Sequence, residues 1–320
     1  MMRILLMSAA AAALTGAAAA ARSASDNPET AAVYDPTRWL GFICGGGEER
    51  GELLRSRISL AAETGSLPVT EKNRPPLIEG LSAVHRKITT DDSLAQRFFD
   101  QGLALTYGFS HEGAVRSFRA AQALDPSCAM CFWGEAYARG PNINAPMDPA
   151  ANARAVAAAE RAMALRSGAT PAEQALIEAL ALRYSEDPKA DRAALDKAYA
   201  AAMTQVAIRF PADDDVAVLA AEAVMDTQPW DYWEADRRTP KGGVGGAITL
   251  VERALARNPN HPQAIHLYIH LVEASATPER AEAAADRLAK PLTPGAGHLV
   301  HMPGHLYFRV GRFKDAMAVN

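Results

Sequence analysis

The chain has 320 residues, a formal net charge of -4 and a sequence pI near 6.1. Such a balance offers no dense basic face for a phosphate backbone, which argues against nucleic acid as a partner. Alanine dominates many segments, β-branched runs are scarce, and almost no stretch alternates apolar with polar residues, so the expected fold is all-α.

Residues 1–24 read as a signal peptide. Arg3 gives a small positive start, Ile4 to Ala20 forms an alanine-rich apolar core, and Ala21-Arg-Ser-Ala24 supplies small residues for a peptidase. The expectation is a cleaved, periplasmic or secreted protein. No cysteine lies at the cleavage zone, so a lipoprotein is not indicated, and no later segment is apolar enough to form a transmembrane span. Residues 25–90 carry prolines, glycines and one helical stretch near 48–62, and are expected to form a loosely structured lead-in. Three cysteines in an exported chain predict one disulfide and one free thiol, with the pairing among Cys44, Cys128 and Cys131 left open. Haem attachment fails, because Phe132 stands where histidine should follow the second cysteine.

From 94 to 126 the chain reads as two amphipathic helices separated by Tyr107-Gly-Phe-Ser110, with Ser110 as an N-cap and His111 as a packed turn residue. Phe98, Gly102, Ala114, Phe118, Ala121 and Pro126 fall in one register of large and small packing positions. Phe132 and Ala136 repeat the roles of Phe98 and Gly102 one period later. A breaker-rich insertion at 140–149 delays the partner helix, expected at about 150–165. A weaker pair occupies 171–209. Helices at 215–225 and 247–258 follow, separated by Asp226-Thr-Gln-Pro-Trp-Asp-Tyr-Trp233 and a glycine-rich loop, and further units start near Pro262 and Gly297.

This pattern, with its period of about 34 residues, resembles the tetratricopeptide (TPR) repeat. More specifically, the chain resembles exported bacterial TPR proteins carrying Tyr-Gly-Phe-x-His-Glu, Pro-Trp-Asp-Tyr-Trp and His-Met-Pro-x-His signatures, over roughly 94–320. The resemblance implies a right-handed superhelical solenoid of helical hairpins with loop insertions, filling residues 91–320. The final unit stops partway through its second helix, so the domain is expected to be truncated at its C-terminus.

His266 and His270, and again His301 and His305, are spaced by four, which sets each pair on one helix face. The two pairs stand 35 residues apart, at equivalent repeat positions. By the resemblance, these are the fifth and ninth positions of the first helix, which face the concave groove. Glu273 extends the first face, and Glu222 falls at the ninth position of the preceding unit. Neighbouring helices lie roughly 8–10 Å apart, a gap that inward-leaning imidazoles can span. His266, His270, His301, His305, Glu222 and Glu273 are therefore the expected metal ligands. Their nitrogen content favours zinc or copper over iron or manganese.

Leu267 and Met302 follow the first histidine of each pair, so the Glu of the hydrolytic zinc motif is missing. A general base would have to be Glu222 or Glu273. Phe99, Leu103, Trp133 and Tyr137 fall at the same groove positions in the first two units, and with Trp230, Trp233 and His298 they form the expected ligand groove for a peptide, protein or small ligand. Three readings stand: a metal-binding solenoid, a metal-free interaction scaffold, and a metal-dependent redox or hydrolytic enzyme. Whether the chain is an enzyme is undecided by sequence.

Overall fold

The computed structural model describes residues 69–187 and 189–320, apart from the side chain of Lys72. The expected signal peptide, the helix near 48–62 and Cys44 lie outside the described residues. Among those described the fold is all-α, with twelve α-helices, short 3-10 turns and no strand. Among the described residues no helix is long and apolar enough to cross a membrane.

Local chemistry sets the helix starts. α1 (Ser93–Tyr107) begins where the Asp92 side chain accepts from the amides of Leu94 and Ala95, satisfying two of the orphan donors at the helix end. It is followed by α2 (His111–Leu124), α3 (Ala129–Ala138), α4 (Asn152–Leu165) and α5 (Pro171–Ala181). Thr170 caps α5 in a capping box with Glu173, and Pro171 occupies the first turn. α6 (Arg192–Arg209) and α7 (Asp214–Met225) start on Asp191 and Asp213, which accept from the amides of Ala193 and Val216. α8 (Val244–Arg257) precedes α9 (Pro262–Val272), whose N-cap is His261: its Nδ1 accepts from the Ala264 amide. α10 (Glu282–Ala289), α11 (Gly297–Arg309) and α12 (Phe313–Ala318) complete the order.

Each helix packs on the next in the chain, and α1 touches α3, α3 touches α5, α7 touches α9 and α9 touches α11. Gly102, an expected small position, and Gly134, which was not among those expected, explain how the helices approach. Phe118 of α2 wedges between Gly102 of α1 and Gly134 of α3; a Cβ on Gly102 would stand 2.7 Å from the Phe118 ring, and one on Gly134 closer still. Phe118 is fully buried, with Phe99 packed edge-on at 5.5 Å. Cys128 and Cys131 are joined as a disulfide at the start of α3.

The lead-in departs from expectation in its last part. Leu81, Val84 and Ile88 are buried, and Arg86 reaches 127 residues along the chain to pair with Asp213 at 2.9 Å and Asp215 at 3.2 Å, at the start of α7. Thr89 donates through its amide and hydroxyl to Glu173 of α5. This segment therefore ties the first helices to the later ones. Beside it, the Gly295 amide donates to the Gly80 carbonyl at 3.1 Å. Residues ahead of α1 thus meet the loop that leads into α11.

Candidate metal centre

The site is built on α9 and α11, the two helices that carry the histidine pairs. On α9, His266 and His270 are fully buried and meet edge-on one turn apart, with their Nε2 atoms 3.1 Å from each other. On α11, the residue that meets His266 is His298, whose Nε2 lies 3.1 Å from that of His266. Nitrogens of His266, His270 and His298 all lie within 4.8 Å of one another, close enough for a shared ion.

Neighbouring groups fix which ring nitrogen carries the proton. His266 Nδ1 lies 2.8 Å from Gln263 Oε1, and His270 Nδ1 lies 3.1 Å from Glu273 Oε1. Both partners are oxygen acceptors, so each Nδ1 is the donor and each Nε2 keeps its lone pair. Two bare lone pairs 3.1 Å apart repel; a cation between them converts that repulsion into two bonds. At metal–nitrogen bonds of about 2.0–2.1 Å, ligands of a tetrahedral ion are separated by about 3.3 Å, close to what is found. Oriented imidazoles backed by an amide and a carboxylate are the arrangement that metal-binding histidines require.

Electrostatics favour the same protonation. Burial, reinforced by mutual repulsion among the rings, lowers His266 well below its ordinary range, lowers His270, and takes His298 down to about 3. The rings are neutral at pH 7. Burial by itself would raise the Glu273 carboxyl, yet the hydrogen bonds from His270 and His305 outweigh it and hold the group at about 2. Glu273 is thus an ionised acceptor between two imidazoles.

Of the expected ligands, Glu222 stands apart. It accepts from the Tyr137 hydroxyl and lies 3.5 Å from Gln263 Nε2, so it reaches His266 only through the Gln263 amide, and burial pushes its carboxyl up. Glu273 belongs with His270 and His305 in a second group whose atoms lie within 4.8 Å. Its two oxygens are taken by the Nδ1 atoms of these rings, at 3.1 and 3.2 Å. His301 lies one turn from His305, their Nε2 atoms 2.9 Å apart. The expected ligand set joined His266 and His270 to His301 and His305; instead His266 faces His298, which the sequence reading assigned to the ligand groove.

The expected groove is filled. Phe99, Leu103, Trp133 and Tyr137 are buried, with the Trp133 indole donating to the Leu176 carbonyl and Tyr137 bonded to Glu222. Trp233 is half-buried and donates to the Leu271 carbonyl at 2.7 Å. Trp230 is 41 % exposed and meets His270 edge-on at 5.0 Å.

Phe109 was not expected here. It comes from the turn after α1 and packs on His266 at 5.0 Å and His298 at 4.6 Å. Both Phe109 (φ 55°) and Trp230 (φ 65°) adopt the left-handed backbone region, which non-glycine residues enter at a cost of about 1–3 kcal/mol each. Strain of that size persists where the surroundings impose it, and here it sets Phe109 against His266 and His298 and Trp230 against His270. The signal for Phe109 was its place in Tyr107-Gly-Phe-Ser-His-Glu112: all three quoted signatures converge on this one centre. Phe109 and His298 also line a cavity of about 360 Å³, together with Leu105, Ser110, Gly295 and Ala296. His298 is therefore the member of the trio reached from outside.

No protein-family model matches this chain, and no curated protein sequence is significantly similar to it.

Proposed function

We propose that this chain is an exported, TPR-type helical-repeat protein that binds a transition metal ion through Nε2 of His266, His270 and His298. The observation that carries the reading is the convergence of these three imidazoles, two of them with Nδ1 held by an oxygen acceptor. An all-nitrogen donor set with a buried, aromatic surround suits zinc or copper; iron and manganese would call for more oxygen ligands. The repeat register of Phe98, Gly102, Phe118 and Ala136, and contacts between alternate helices, support the TPR reading.

A scaffold without metal, recruiting a peptide through an open groove, is less well supported, because the residues that would line that groove are packed away. The metal-dependent enzyme gains support from the cavity at His298, through which a small ligand could reach an ion. Elemental analysis of protein purified without an affinity tag tests the central reading. Stoichiometric zinc or copper is expected, with its affinity at the buried site lowered by at least tenfold in the H266A/H298A double variant. Protein that neither carries nor takes up metal, and whose behaviour the double substitution leaves unchanged, would return the chain to the scaffold class.

A further inference from the structure

The trio does not use all the imidazoles present. His301 and His305 lie on the same face of α11, and their Nε2 atoms, 2.9 Å apart, stand closer than any other imidazole pair in the cluster. Each has its Nδ1 against an oxygen acceptor: His305 against Glu273 Oε2 at 3.2 Å, and His301 against the side-chain oxygen of Asn320. The reasoning that assigns lone pairs to His266 and His270 therefore applies again, and two more bare Nε2 atoms confront each other.

The surroundings are built to keep them so. Gly304 has no side chain where one is forbidden: a Cβ there would stand 2.6 Å from Asn320 Nδ2 and 3.3 Å from Val319. Its absence lets the segment after α12 approach α11 and lay Asn320 on His301, while Asn320 Nδ2 donates to the Ala316 carbonyl at 2.6 Å, which turns its oxygen towards the imidazole. Glu273 spans the two sets of rings, one oxygen on His270 of the trio and the other on His305 of the pair. His270 and His305 are 5.6 Å apart by ring centroid, and His298 and His301 6.2 Å, so the two sets are immediate neighbours.

We infer that the protein holds two transition metal ions side by side: one in the buried trio, and a second on His301 and His305, linked by Glu273 as the shared orienting carboxylate. This rests on the metal reading proposed above. Two nitrogens 2.9 Å apart subtend about 90° at an ion with bonds of about 2.0–2.1 Å, so His301 and His305 would occupy adjacent coordination positions and leave the others to exogenous ligands. Both rings are only half-buried, unlike His266 and His270. The second site is thus the open one, suited to water or to a small anionic or nitrogenous ligand, beside a closed site held entirely by the protein.

Zinc titration of the full chain, stripped of metal, with a competing chromophoric chelator tests this. Two ions per chain are expected for the wild type, one for H301A with the trio's affinity kept, and one for H266A/H298A. H301Q, closer in size to the original ring, should behave as H301A does and guards against misfolding; thermal melts of both variants should stay near wild type. A wild type that binds one ion, unaffected by H301A, overturns the second site and leaves the trio standing. A wild type that binds a single ion, and loses it both in H301A and in H266A/H298A, overturns it as well, because all five imidazoles would then share a single centre. A wild type that binds none sinks this inference together with the reading beneath it.

Discussion

Replacing Glu273 with glutamine isolates the work of a single side chain. The native carboxylate is ionised, at about 2, and gives one acceptor oxygen to His270 Nδ1 at 3.1 Å and the other to His305 Nδ1 at 3.2 Å. Glutamine keeps the size but has one acceptor and one donor. Only one of the two imidazoles can then hold its proton at Nδ1; the other must face an NH2 group with a lone pair, which moves its proton to Nε2 and blocks the nitrogen that would bind metal. Loss of such an orienting partner typically costs 10–100-fold in metal affinity, or about 1.4–2.7 kcal/mol. E273Q should therefore weaken one metal-binding event by this factor while the fold, monitored by far-UV circular dichroism, is retained. E273A, which removes both acceptors, should lower affinity further. Competition against a chelator of known affinity measures both. E273Q with wild-type affinity would show that the Nδ1 contacts do not set the tautomers, and the case for aligned Nε2 lone pairs would fail.

Protein stripped of metal should lose stability on mild acidification. His266, His270 and His298 are held below the ordinary 6.5 in the fold, so as pH falls from about 6.5 towards 5 the unfolded chain takes up these protons and the folded one does not, costing up to about 1.4 kcal/mol per pH unit for each ring. Urea melts in chelator at pH 7 and pH 5 should differ by several kcal/mol; equal stabilities would contradict the burial argument. Gly134→Ala would drive a methyl group into the Phe118 ring and should destabilise by about 1–3 kcal/mol. Gly246→Ala, at an exposed position in α8 with nothing near its Cβ, should stabilise by about 0.4–1 kcal/mol; denaturant midpoints of opposite sign check the pair.

Much of the helical order was legible in the sequence because its causes are local. Asp92, Thr170 with Glu173, Asp213 and Pro262 mark helix starts within one turn of themselves, and the four-residue spacing of His266 with His270 and of His301 with His305 puts each pair on one face whatever surrounds it. The expected start of the helix at Gly297 and the break at 107–110 follow from the same short-range chemistry. What tertiary structure alone decided is which faces meet. Equivalent repeat positions grouped His301 and His305 with His266 and His270, but α9 and α11 pack so that His266 meets His298 and the downstream pair is offset. Phe109 reaches His266 across 157 residues, and Arg86 reaches Asp213 across 127. Such contacts depend on the way successive helices pack on one another across more than a hundred residues of chain, and no single segment encodes that packing. For the same reason Trp133 and Tyr137, whose positions pointed to a groove, lie in the interior: the sequence fixes their side of the helix, while the approach of α5 and α7 decides that this side is buried.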